Sequence, residues 1–382
     1  MNQPRTLLNN LTPSEFLAEY WQKKPLLIKG AIPDFDGLLT PNELAGLACE
    51  EDVQARIIAL KKNKWSVKEG PFDDDDFAKL PDKDWTLLVQ SVNHHLPEAQ
   101  SLLSQFDFIP HARLDDLMVS YAPDGGGVGP HVDSYDVFLL QGSGKRLWKV
   151  SEQQDLSLVE CAPLRLLQNF VTEQEWLLEA GDMLYLPPQI AHWGTAVGED
   201  CMTYSIGFRA PKQQELATEF LGFLQDKLTI EANLPTLYSD ADLMLQTHPA
   251  EISTAMVQKV SAMLQKITWD NATVAQFLGA YISEPKPDVV FEPNKKINLT
   301  VFNRHIFEQG ITLDLKSQLL FVVSDENTTF FMNGEVTDWQ GENAELLKTF
   351  ADKRALIAQT ITDDTLLKQL HDWYLAGYLM FK

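Results

Sequence analysis

Between Leu117 and Arg209 the apolar residues gather into short runs, LMVSYA, YDVFLLQ, RLWKV, MLYL, HWGTAV and MTYSIGF, separated by glycine- and proline-rich punctuation. Runs of this length, rich in Val, Tyr, Phe, Leu and Trp, predict an antiparallel sandwich or barrel. The Gly142-Ser143-Gly144 triplet is expected to form a hairpin loop between YDVFLLQ and RLWKV. Gly181-Asp182 predicts a turn before MLYL, and Pro187-Pro188 should stop strand pairing just before His192.

The flanks read differently. Thr12-Pro13-Ser14-Glu15 supplies a cap, a first-turn proline and an early carboxylate for a helix through FLAEYWQKK, which Pro25 ends. Leu26 to Ile28 then predicts a short strand, and the four acids Asp73 to Asp76 a solvated loop. From Gln213 to about Ile282 the spacing is helical, as in QQELATEFLGFLQDKL and AEISTAMVQKVSAMLQKI. Pro285, Pro287 and Pro293 mark a linker. Beyond it, KINLTVF, SQLLFVVS and TTFFMNG predict strands, with helices near Ala344 to Ala351 and Thr365 to Tyr378. That is a small α+β domain compatible with a winged helix. The chain as a whole is thus expected to be α+β around a mainly β core.

Length and composition sharpen this picture. At 382 residues the chain is too long for one ordinary core, so two or three domains are expected. No apolar run is long enough to span a bilayer, and MNQPRTLLNN lacks the apolar stretch of a secretory signal. Cys49, Cys161 and Cys201 are scattered and form no CxxC pair, which suits a reducing cytoplasm. The formal net charge is −23, from 31 Lys and Arg against 54 Asp and Glu. Such a balance argues against nucleic acid or an anionic membrane as partner. It either supports solubility or attracts a strongly basic protein.

The chemistry centres on His131-Val132-Asp133. Residues two apart on a strand point to one face, so an imidazole and a carboxylate would enter the same barrel interior. With one more distant histidine they form the 2-His-1-carboxylate triad of non-heme iron(II) oxygenases, which leaves open positions for a bidentate 2-oxoacid and dioxygen. His192, after GDMLYLPP, is the candidate second histidine. His94 and His95 lie in a helical stretch, His111 precedes the barrel strands, and His248, His305 and His371 lie beyond them. HxD alone is also an ordinary polar pair at a strand entrance; combined with GDxLYLPPxxxH some sixty residues later it specifies metal binding.

A 2-oxoacid also needs a cation for its distal carboxylate. Arg146 shares a strand face with Trp148 and Val150, whereas Lys145 shares the other with Lys149, so Arg146 is the inward candidate. Asp116, Met118 and Ser120 alternate with Leu117, Val119 and Tyr121, and the pattern leaves open which set faces the cavity. If the first does, Ser120 could bond the oxoacid carboxylate and Asp116 a cationic substrate.

The runs GGGVGPHVDSYDVFLLQGSGKRLWKV, GDMLYLPPQIAHWGTAV and YSIGFRAP resemble those of the JmjC-type 2-oxoglutarate oxygenases, specifically the bacterial ribosomal oxygenases, relatives of the eukaryotic ribosomal-protein histidine hydroxylases. The resemblance implies a double-stranded β-helix (cupin/JmjC jelly roll) over residues 1–211, a helical dimerisation segment over 212–284 and a winged helix over 294–382. It implies His131, Asp133 and His192 as ligands of Fe(II), Arg146 and Ser120 as contacts of the cosubstrate 2-oxoglutarate, O2 as oxidant, and Asp116 as a substrate contact. Asp133 and Arg146 replace the Glu and Lys common among JmjC enzymes and suit the ribosomal branch, against histone-type demethylation. The implied reaction is hydroxylation of the β-carbon of an arginine in the sixteenth large-subunit ribosomal protein. The enzyme is expected to be a cytoplasmic homodimer with a basic protein substrate. Alternatives are hydroxylation of a protein histidine or asparagine, another metallo-cupin reaction, or a cupin-like binding module without turnover. With nine Lys and Arg against twelve Asp and Glu from Lys295 to Lys382, the winged helix lacks a DNA-binding face.

Overall fold

The computed structural model describes residues 3–231 and 237–382. The chain divides into two compact units, one of residues up to Ala210 with Pro287–Phe291 and Asp314–Lys316, the other of the remainder.

The first unit begins with α1 (Pro13–Glu19). Thr12 and Glu15 form a reciprocal capping box, with Pro13 in the first turn. The helix stops six residues before Pro25, because Gln22 turns to a left-handed conformation and Trp21 leaves to stack on Tyr185 at 5.8 Å. Two further helices follow, α2 (Pro41–Leu47) and α3 (Asp74–Ala78). The acidic run is therefore not a loop. Asp73 caps α3, Asp76 reciprocates, and the acids sit where the helix N-terminus favours negative charge. A fourth helix, α4 (Glu98–Leu103), precedes the barrel strands.

Nine strands build one antiparallel sheet: β1 (Leu26–Ile28), β2 (Ala55–Lys61), β3 (Lys64–Glu69), β4 (Trp85–Val89), β5 (Leu114–Ala122), β6 (Asp136–Ser151), β7 (Gln174–Glu179), β8 (Met183–Leu186) and β9 (Ala191–Phe208). Their order is β1-β8-β6-β9-β5-β4-β2-β3, with β7 on β6. The Gly142-Ser143-Gly144 triplet is not a hairpin. The strand β6 runs through it and stays paired with β9 from Asp136–Phe208 to Ser151–Ala191, with register shifts around Ser143. It is a bulge, in which Gly144 takes φ +63° and Gln141 Nε2 donates to the Ser143 and Met202 carbonyls. HWGTAV and MTYSIGF likewise form one continuous strand, β9.

On the outer face, Leu117 and Val119 of β5 pack with Phe138, Tyr185, Ile206 and Phe208 against Phe16 of α1 and Phe106. On the inner face Val137, Leu139, Trp148, Val150, Leu184 and Leu186 form a second apolar cluster. The sheet is thus clad on one side and curls around side chains on the other.

In the second unit come α5 (Gln213–Glu231), α6 (Thr254–Leu264), α7 (Asn271–Ser283) and α8 (Leu299–Gln309). The last overturns the expected strand at KINLTVF: Asn298 caps a helix whose Phe302 and Ile306, four apart, are buried. Then follow β10 (Ile311–Leu313), the hairpin strands β11 (Leu319–Val323), β12 (Thr328–Met332) and β13 (Glu335–Trp339), α9 (Gly341–Lys353), β14 (Ala355–Leu356), α10 (Asp364–Leu375) and β15 (Leu379–Phe381). Phe302, Leu347, Phe350, Leu370 and Trp373 share its core. No described helix is long and apolar enough to cross a membrane.

Candidate metal centre and cosubstrate cavity

The inner face of the barrel encloses a cavity of about 360 Å³ whose lining includes His131, Asp133, His192, Arg146 and Ser120. The chain reaches it through the PDGGGVGP turn, which is clamped rather than loose. A Cβ on Gly126 would lie 2.0 Å from the Trp85 carbonyl oxygen, and one on Gly127 2.3 Å from that of Gly194. Only glycine permits this approach. The turn delivers His131 against His192, and the two residues exchange main-chain hydrogen bonds of 3.0 and 2.9 Å. The Gln189 N–H donates to the Asp133 carbonyl at 2.8 Å. Backbone pairing therefore fixes three side chains from distant positions.

The imidazoles are oriented from behind. Nδ1 of His131 lies 2.9 Å from the Gly129 carbonyl, and Nδ1 of His192 lies 2.9 Å from that of Ile190. Each ring donates there and turns its Nε2 lone pair inward, the arrangement that prepares a histidine for a metal. His131 Nε2 is 3.8 Å and His192 Nε2 3.5 Å from the Asp133 carboxylate. The donor atoms of the three residues all lie within 4.8 Å of one another. Burial, helped by the neighbouring His192, drives the His131 pKa down to about 4. Burial alone would raise Asp133, but the hydrogen bond and charge of His192, His131 and the Tyr135 hydroxyl together hold it below the usual carboxylate range. At neutral pH His131 is thus a neutral base and Asp133 an anion. Two imidazole nitrogens and one carboxylate fit a divalent first-row metal such as iron(II).

Arg146 is 4% exposed, and its Nε and Nη2 have no hydrogen-bond partner. Buried donors of this kind demand an acceptor, and a cavity-facing guanidinium suits a carboxylate. The strand parity appears as expected: Arg146, Trp148 and Val150 are buried inside, while Lys145 is exposed and pairs with Glu179. The open question on β5 is answered too. Met118 and Ser120 line the cavity, and Leu117 and Val119 enter the outer core. Both faces of that strand are buried, which is why pattern could not separate them.

Asp116 is not brought together with the others. It lies outside the cavity lining, and its carboxylate accepts from the Ser91 N–H at 3.0 Å and the Ser91 hydroxyl at 3.3 Å. A register shift between Leu114 and Leu117 separates it from the regular alternation. Sequence reasoning missed Arg56, Tyr135, Thr203 and Ser205, which also line the cavity. Tyr135 could have been found two residues after Asp133. The others depend on cross-strand pairing, such as Ser120 with Thr203, that carries no local signal.

Residues 101–216 match the JmjC domain family, and residues 266–380 the ROXA-like winged helix family. The chain is 33% identical over 377 residues to the ribosomal protein uL16 3-hydroxylase of Escherichia coli strain K12, covering 96% of this chain and 97% of that protein. It is 32% identical to a probable ribosomal oxygenase of Haemophilus influenzae, over 98% of each chain. Among solved structures, that of the E. coli ribosomal oxygenase YcfD in complex with cobalt and 2-oxoglutarate superposes with a TM-score of 0.80, at 31% identity, over 97% of this chain and 98% of that one.

Proposed function

The chain belongs to the JmjC-type ribosomal oxygenases, and from that premise we propose that it hydroxylates the β-carbon of an arginine in the large-subunit ribosomal protein uL16. It is an iron(II)- and 2-oxoglutarate-dependent oxygenase. The observation that carries the reading is a cavity with two imidazole Nε2 atoms and a carboxylate on one wall and an unpartnered guanidinium on another. When bound, iron(II) with 2-oxoglutarate and O2 supplies the oxidation of a substrate C–H bond.

The protein's own side chains supply position and exclusion. His131, Asp133 and His192 hold the metal from one side, with the Gly129 and Ile190 carbonyls fixing both rings. Arg146 and Ser120 grip the distal carboxylate of the oxoacid, a charge-assisted contact in a low-dielectric wall. Val137, Leu139 and Trp148 keep water from that end. Burial, with the Asp133, Asp116 and Asp115 charges, pushes the Tyr135 phenol far above its usual range, so Tyr135 stays protonated and donates to Asp133. Asp116, though outside the cavity lining and tied to Ser91, exerts its charge on the lining residue Tyr135 and so supplies negative charge for the substrate guanidinium.

The reading assigns catalysis to residues 1–211, self-association to 212–284 and protein contact to the winged helix of 294–382. A homodimer is supported by the exposed Met256, Val257, Val260 and Leu264 on α6. A basic ribosomal partner, rather than DNA or a membrane, is supported by the −23 net charge. The three cysteines are all unpaired, consistent with the cytoplasm where ribosomal proteins are made. Intact-mass analysis of ribosomal proteins treated with the enzyme tests the function: one added oxygen on an arginine of uL16 is expected. An oxygen on histidine or asparagine, or none, would overturn it.

A further inference from the structure

Besides Arg146 two further arginines line the cavity, the exposed Arg165 and Arg56, and the proposed oxoacid site uses neither. Arg56 of β2 faces the same interior as Arg146, and its Nε is buried without a hydrogen-bond partner. The strand register runs from it across the sheet: Arg56 pairs with Leu88 of β4, Leu88 with Ser120 of β5, and Ser120 with Thr203 of β9. At about 4.8 Å per strand, the Arg56 backbone is roughly 10 Å from that of Ser120. That span is within reach of a long side chain, so the Arg56 guanidinium can enter the space between the two strands. Arg56 shares the cavity lining with His131 and Tyr135, and its charge is felt at both. Its cross-strand neighbour Glu69 is exposed, and among the described residues Arg56 forms no ion pair.

We propose that Arg56 positions the substrate protein, its guanidinium donating to main-chain carbonyl oxygens of the segment that crosses the cavity. This inference rests on the proposed function, since it takes the substrate to be a basic ribosomal segment. Such a segment offers few carboxylates, but every residue offers a carbonyl acceptor. The same positive charge repels the target guanidinium, which leaves Asp115 and Asp116, whose charges reach Tyr135, as the groups that draw it. Arg56 thereby selects one direction of the peptide over its reverse. A donor of this kind gives both affinity and orientation, because a guanidinium can contact two acceptors at once.

Equilibrium binding and kinetics with purified uL16 test the idea in wild type, Arg56→Met and Arg56→Lys. Removing a charge-assisted contact predicts uL16 binding and KM weakened about tenfold or more in Arg56→Met. The KM for 2-oxoglutarate is expected to move less than twofold, and Arg56→Lys to recover part of the loss. If uL16 binding is unchanged in both variants, or the 2-oxoglutarate KM rises in step, the proposal is wrong. Thermal midpoints identify a variant that fails to fold, and Arg56→Lys keeps the charge and the stem in that event. A wild type that binds uL16 without hydroxylating it refutes the proposed function instead.

Discussion

At the scale of single residues, the cavity depends on groups whose protonation and pairing are set by burial. Arg146 has two orphaned donors in a wall that also carries Ser120, so Arg146→Met removes the cation opposite the metal wall. The expected result is a 2-oxoglutarate KM raised roughly ten- to hundredfold, from the loss of a charge-assisted contact, with the uL16 KM little changed. Steady-state kinetics with either cosubstrate varied will show it. His131 makes a pH prediction for the metal-free protein. Its folded pKa, about 4, lies below the ordinary 6.5, so from pH 6.5 downward the unfolded chain takes up a proton that the folded chain refuses. Stability contributed by His131 is complete above pH 6.5 and is lost as pH falls toward 4; the depressed Asp133 acts in the same direction at lower pH. Urea midpoints at pH 7, 5.5 and 4.5 should fall in that order, and in His131→Gln the part of the decline above pH 4 should shrink. Arg146 was legible in the sequence because two-residue parity along β6 is local. His131 and Asp133 lie ahead of β6, His131 in an isolated bridge and Asp133 in the irregular segment after it, and not on a strand as the parity reading had it; the HxD motif made them legible. Arg56 and Thr203 were not, because strands far apart in the chain meet only in the folded sheet.

At the scale of elements, ambiguous signals explain the misreadings. Glycine marks hairpin turns and bulges alike, and at Gly142 to Gly144 continuous pairing of β6 with β9 decides for the bulge. KINLTVF carries β-branched residues that suggest a strand, yet the Asn298 cap and the Phe302 and Ile306 pair make it the start of a helix. The acids from Asp73 were read as solvated, which missed that the first of them is a cap. The clamped turn before His131 is where an element controls the site. Gly127→Ala puts a methyl against the Gly194 carbonyl oxygen and should destabilise the fold by about 1–3 kcal/mol, as overpacking does. It should also weaken metal binding, since the turn carries His131. Urea unfolding and a manganese titration of the same variant measure both effects.

At the scale of the whole molecule, the barrel and the C-terminal unit were separable in the sequence by texture, but the partner of the intervening helices was not. α6 exposes Met256, Val257, Val260 and Leu264 on its surface, more apolar area than a lone helix leaves to water. Sedimentation at micromolar concentration should give a dimer, and Val257→Glu combined with Val260→Glu should give a monomer; a monomeric wild type would contradict self-association. The account as a whole rests on one metal held by three converging side chains across from an arginine that receives the oxoacid. Its most direct test is the anomalous scattering of a crystal grown with manganese and 2-oxoglutarate. The account predicts a single peak about 2.1 Å from His131 Nε2, His192 Nε2 and an Asp133 oxygen, with the distal carboxylate on Arg146. A peak elsewhere, or an oxoacid that avoids Arg146, would contradict it.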